Sequence, residues 1–285
     1  MSVENVHPDV GHAAKPLAQG TEHAAEHVAE GHSKAEAFQH FLLHHVMDGT
    51  EWHLPFLHIS LPSFLTLHSV MLILAVVFLY LLFGVFFKKG QRVPTGLTNF
   101  LESFVVFIRD EIAIANLGER DGRKFAPFFC SLFFFIMMLN FMGLIPLFST
   151  ATSNIAVTTA LSLVILGFII IGGIARNGFI GYLKSFAAPG IPGPVLVILI
   201  PIEILGVFIK AFALTVRLFA NMLAGHIVLF SLLGMILLFG VFVGPPVVLM
   251  ATAIYLLEIF VALLQAYIFT LLAAMFIGTS LHPEH

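Results

Sequence analysis

The stretch VLVILIPIEILGVFIKAFALTVRLFANMLAGHIVLFSLLGMILLFGVFV, residues 195–243, decides the fold. Its 49 residues carry no loop-forming interruption, which makes roughly 73 Å of α-helix at about 1.5 Å per residue, against about 30 Å of bilayer hydrocarbon. A second apolar run, residues 247–277, follows Gly244-Pro245-Pro246 and would reach roughly 46 Å as a helix. Neither run can stand perpendicular in a membrane and use its whole length. The pair therefore reads as a hairpin of long, strongly tilted helices that turns at Gly244-Pro245-Pro246, with Pro201 a candidate bend in the first.

The rest of the chain agrees. Of 285 residues, 59% are hydrophobic and only 10% charged, against roughly 25% charged in soluble domains. A net charge of −3 without a concentrated basic surface excludes a nucleic-acid binder, and the apolar content excludes a soluble enzyme or a disordered chain. Cys130, the single cysteine, excludes a disulfide framework and a Cys-based metal site. Outward from the hairpin, spans are expected at about 69–87, 127–148 and 155–175, making five with 195–243 and 247–277. Between 95 and 117, Phe100, Phe104, Phe107, Ile108 and Ile112 alternate with Glu102, Arg109, Asp110 and Glu111, as in an amphipathic helix on the bilayer surface.

Residues 1–36 read as a polar, mobile tail and 37–285 as the membrane domain. The fold class is thus an all-α integral membrane protein with five crossing helices and one surface helix. Eleven of the fourteen histidines fall between His7 and His68, at irregular spacings that favour a solvated tail over a metal site. Residues 38–66, with Trp52, Pro55 and Pro62, resemble an aromatic belt at the membrane surface. Nine of thirteen Lys and Arg residues lie in the 88–124 and 176–184 loops, so those loops should be cytoplasmic. Five crossings then leave the amino terminus outside and the carboxyl terminus in the cytoplasm.

Charges inside apolar spans persist chiefly where function or a partner demands them, since each costs about 2.5–3.5 kcal/mol on insertion scales. Glu203, Lys210 and Arg217 are seven apart, and seven residues turn a helix to within about 20° of two full turns. With Asn221 they form one polar stripe. Glu203 and Lys210 can equally pair with each other or snorkel. On the second helix Glu258 and Gln265 share a face by the same spacing. If Gln265 is level with Arg217, then Glu258 and His226 come to similar depth. An acid and an imidazole there can exchange protons or simply lock the helices together. No glycine-rich phosphate loop is present, so no nucleotide site is expected, nor any cofactor or metal.

The run 217–226 (RLFANMLAGH) and Gln265-Ala266-Tyr267-Ile268-Phe269 resemble the a subunits of F-type ATP synthases. Asn140-Phe141-Met142-Gly143-Leu144-Ile145-Pro146, the Thr152 and Asn154 region and Glu203 also fit that family, from about residue 38 onward. In many bacterial members glutamate matches His226 and histidine matches Glu258, so the two are exchanged here. The resemblance implies a stator in the bacterial inner membrane that carries protons through two offset half-channels against a rotating ring of c subunits. The b-subunit peripheral stalk and other synthase subunits would be further partners. It also implies roles: Arg217 attracts the ring's carboxylate, and Asn221 and Gln265 position Arg217. His226 and Glu258 line the outer half-channel and Glu203 the cytoplasmic one. Two rivals differ in class. A secondary transporter would bind an anionic substrate at Arg217 but should show a second copy of the stripe; a haem-bearing anchor would need facing histidines within the spans. Whether the coupling ion is H⁺ or Na⁺ is left open, because the ring's ligands lie in another chain.

Overall fold

In hydrocarbon every backbone amide and carbonyl must be paired within the protein, so runs this apolar fold as helices. The computed structural model describes residues 51–54, 57–60, 66–86, 96–145, 148–186 and 193–282. The polar tail expected at 1–36 lies outside the described residues. Six helices follow in order: α1 (Leu67–Phe86), α2 (Leu97–Phe107), α3 (Ala115–Leu144), α4 (Ile155–Ser185), α5 (Gly193–Phe239) and α6 (Gly244–Leu281). A π-helical stretch, Ile108–Ile114, joins α2 to α3, and 3-10 turns at Ala151–Ser153 and Val241–Val243 precede α4 and α6. Five helical stretches are long and apolar enough to cross a bilayer: Leu67–Gly84, Thr98–Leu144, Ile155–Ser185, Pro194–Ile236 and Val241–Leu281. The all-α membrane fold is the one the sequence implies.

Three details differ from the sequence reading. The hairpin turns earlier than Gly244-Pro245-Pro246. Gly240, at φ 80°, ends α5 at Phe239, and Pro245 and Pro246 sit in the first turn of α6, where a missing amide hydrogen costs nothing. Second, the surface helix does not present one uniform apolar face inward. Ile108 and Ile112 are fully buried and Phe104 packs on the core, but Phe100 and Phe107 point outward and Leu101 takes an inner place. The π-helical stretch is wound more loosely than an α-helix, so the inward face shifts along it. Third, residues 51–60 hold a short antiparallel hairpin, β1 (Glu51–Leu54) and β2 (Leu57–Ser60), in the register Trp52 opposite Ile59. Strands of four residues are too short for alternation to announce them.

Gly118 (φ 76°) separates the surface helix from the spanning part of α3. The chain then folds back so closely that a Cβ on Gly122 would lie 2.6 Å from the Cα of Ile114. The core gathers Phe129, Phe133 and Ile136 of α3, Ile165 and Ile169 of α4, Leu214 and Leu218 of α5, and Phe269 and Ile277 of α6. Small residues let α6 approach its neighbours, as van der Waals packing in lipid requires. Ala262, Ala266, Ala273 and Ala274 are fully buried, and a Cβ on Gly278 would run into the carbonyl oxygen of Asn116. Outside, α5 and α6 expose Ile198, Phe212, Leu249 and Phe260, a surface suited to lipid or another apolar helix.

Candidate functional site

Polar side chains of α5 meet α6 in two places. Asn221 Nδ2 donates to Gln265 Oε1 at 2.8 Å. Further along, His226 Nε2 lies 4.0 Å from Glu258 Oε1, with both side chains buried. The seven-residue step from Glu258 to Gln265 on α6 thus faces a five-residue step, Asn221 to His226, on α5. Gly225 makes the second contact sterically possible: a Cβ there would run into Glu258 Oε1 and lie 2.9 Å from its Cδ.

The third wall of this site comes from the turn between α3 and α4. Thr150 Oγ1 lies 2.9 Å from His226 Nε2 and can reach the Gly143 carbonyl at 3.4 Å. Gly143 has to be glycine for this, because a Cβ would come within 2.8 Å of Thr150 Cγ2. Asn140 Nδ2 donates to Ala262 O of α6 at 3.1 Å, and Tyr255 Oη to Leu144 O at 3.2 Å, fixing α3 against α6 beside the pair. Thr150, Gly143 and Gly225 carry no sequence signal as site residues, since their contacts span tens of residues without a period. Both Glu258 carboxylate oxygens and the Gln265 amide nitrogen make no hydrogen bond within the described residues. Buried polar atoms in that condition mark a place where water, a proton or a partner group enters the balance.

Arg217 sits one helical turn before Asn221, and its side chain is exposed. Among the described residues none forms a hydrogen bond or ion pair with it. Asn221 and Gln265 thus bond to each other, and not to the guanidinium that the resemblance has them hold. Glu203 and Lys210 do not pair either. Lys210 Nζ stands 5.3 Å over the Phe276 ring, and both residues line a cavity of about 220 Å³ with Tyr182, Ser185, Thr279 and Ser280. A cation is attracted electrostatically to an aromatic face.

One charged cluster went unforeseen. Asp121, at the start of α3, forms ion pairs with Arg176 Nη1 of α4 at 3.1 Å and Lys124 Nζ at 3.7 Å, and is 3.2 Å from His282 Nε2 beyond α6. Burial pushes its carboxyl up, but Arg176, Lys124 and His282 outweigh that and hold it below the usual carboxylate value. The cluster ties α3 and α4 to the residue that follows α6, outside the spans the sequence leads one to expect at about 127–148, 155–175 and 247–277.

Five apolar crossings, an acid–imidazole pair buried between two long helices, and an arginine with no partner among the described residues define a polytopic membrane protein with an intramembrane ionisable site. Residues 68–278 match the family model described as ATP synthase A chain. ATP synthase subunit a of Anaeromyxobacter dehalogenans (strain 2CP-C) is 46% identical over 220 residues, 76% of this chain and 58% of that protein. Its counterpart in Myxococcus xanthus (strain DK1622) is 46% identical over 228 residues, 78% of this chain and 74% of that protein. ATP synthase subunit a 2 of Chlorobaculum tepidum is 39% identical over 295 aligned residues, 97% of this chain and 82% of that protein. The chain belongs to the ATP synthase subunit a family. It spans little more than half the length of the Anaeromyxobacter dehalogenans relatives, 58% of one and 51% of another.

Proposed function

We propose that this chain is the proton-carrying stator subunit of a rotary ATP synthase, working in a bacterial inner membrane with its amino terminus outside. Its partners are a ring of c subunits, a b-subunit peripheral stalk and the remaining synthase subunits. The observation that carries this is Arg217: a permanent cation on an exposed face of a long apolar helix, with no counter-charge among the described residues. A carboxylate on a neighbouring subunit satisfies it.

The chemistry follows from charge. A ring carboxyl approaching Arg217 is stabilised as the anion and gives up its proton; leaving, it takes one up again. The fixed cation repels protons, so it separates an outer path from an inner one. Glu258 and His226, up to roughly 13 Å along α5 from Arg217, serve the outer path by passing a proton between carboxyl and imidazole. Glu203, up to roughly 21 Å the other way, opens into the cavity it shares with Lys210 and serves the inner path. Asn221 and Gln265 keep the two helices at fixed spacing beside the arginine.

The test is the Arg217→Ala variant in the reconstituted complex. The complex assembles, and ATP synthesis driven by a proton gradient falls to background. Synthesis at the unaltered rate by the assembled variant overturns the proposal.

A further inference from the structure

His68 is buried at the start of α1, more deeply than any other charged or titratable side chain described. A histidine at the rim of a span has no need of such burial, since it could turn to water. Instead it faces the turn that also supports His226. Its Nε2 lies 3.3 Å from Ser149 Oγ, and its Nδ1 3.5 Å from Asn154 Nδ2. Ser149 is the chain neighbour of Thr150, whose hydroxyl is 2.9 Å from His226 Nε2, and His226 is 4.0 Å from Glu258. Two buried imidazoles thus flank one turn, residues 149–154, of sequence Ser-Thr-Ala-Thr-Ser-Asn. The turn is held firmly. Ser153 Oγ donates to Thr150 O at 2.7 Å, and Asn154 caps α4 by accepting from Ala156 N at 2.8 Å. Thr152 Oγ1, fully buried in the same turn, makes no hydrogen bond within the described residues. Hydroxyls both donate and accept, so a row of them between two imidazoles can pass a proton.

We infer that His68 is the outermost proton-relay group of this chain, feeding protons through the Ser149 and Thr150 hydroxyls to His226 and on to Glu258. The inference rests on the outer path proposed above. In each hop the acceptor takes a proton on one lone pair as its own proton leaves on the other side. One proton enters at His68, one arrives at Glu258, and each relay group returns to its starting form. The Asn154 amide, which can hydrogen-bond but not titrate, holds the His68 ring in place.

The experiment measures passive proton conductance through the membrane sector in vesicles freed of the catalytic head. Conductance is normalised to the c subunit that copurifies, for His68→Gln, His68→Asp, His68→Ala and Glu258→Gln. Glutamine keeps the hydrogen bonds but cannot carry a proton, so His68→Gln falls at least tenfold, while His68→Asp, still titratable, keeps most of the conductance. Millimolar imidazole on the outer side restores His68→Ala, a readout that compares one preparation with itself and does not depend on how much complex assembled. Unaltered conductance in His68→Gln, equal losses in the Gln and Asp variants, or no rescue by imidazole overturns the relay. Normal conductance in Glu258→Gln would instead remove the outer path on which the relay depends.

Discussion

Gly225→Ala separates the role of the Glu258 carboxyl from that of helix packing. An added Cβ runs into Glu258 Oε1 and lies 2.9 Å from Cδ and 3.4 Å from Cγ, whereas non-bonded carbons settle at about 3.5–4.0 Å. The carboxyl must therefore retreat by about 1 Å. The atoms met are the far end of a flexible side chain, so α5 and α6 need not part. The cost is a rotamer adjustment of about 0.5–1.5 kcal/mol, less than the loss expected where rigid groups collide. Retreat from α5 also means retreat from His226, the next residue on that helix, and lengthens a separation that is already 4.0 Å. Proton transfer needs the heavy atoms to reach about 2.6–3.2 Å, and a misplacement of about 1 Å costs on the order of 100-fold in rate. The complex should assemble in normal yield, judged by copurified c subunit, while passive proton conductance in head-free vesicles drops by one to two orders of magnitude. Normal conductance in the assembled variant refutes the role given to the carboxyl. Failure to assemble refutes the claim that the side chain, and not the backbone, absorbs the methyl group.

Other perturbations test the scaffold. A double-mutant cycle on Asn221→Ala and Gln265→Ala, read by unfolding in denaturing detergent, should give a coupling of about 0.6–1.7 kcal/mol, the range for hydrogen bonds between membrane helices; additive losses would show that the bond contributes nothing. Gly278→Ala meets a backbone carbonyl that cannot swing aside, so it should cost about 1–3 kcal/mol by the same assay, while Gly84→Ala, with nothing within 4 Å of its added Cβ, should be neutral. Asp121 is ionised more readily in the folded chain than in the unfolded one, so its contribution is present above about pH 4 and fades as pH falls through its lowered value. Because its partners are 43–65% exposed, Asp121→Asn should lose only about 1 kcal/mol at pH 7, a loss that shrinks as pH falls and Asp121 is protonated; a difference that does not vary with pH would disprove the electrostatic account.

What could be read from the sequence was whatever the helix period controls. Seven residues return to nearly the same azimuth, so Glu203, Lys210, Arg217 and Asn221 had to share a face, as did Glu258 and Gln265. Depth follows from rise per residue, and it put Glu258 opposite His226, where the structure has them. Period says nothing about which face turns inward when both are apolar. In water Phe100 and Phe107 would have to be buried, whereas in lipid they may equally face out, and they do. Nor does it register contacts made by turns. Thr150 reaches His226 across 76 residues and His68 reaches Ser149 across 81, through a segment with no repeat of its own.

The same limits explain why Arg217 could be singled out while the bond between its neighbours could not be foreseen. An isolated cation in an apolar run stands out at once, because its desolvation cost demands a reason. Asn221 and Gln265 are neutral and bond to each other at 2.8 Å without an ion, and neither bonds to the guanidinium. That choice has a functional side under the role proposed for Arg217. A guanidinium bonded firmly within its own subunit would hold a passing carboxylate weakly, since its donors would already be occupied. Left open on the surface of α5, beside two helices locked at a fixed distance, it can bind and release successive anions without any helix having to move.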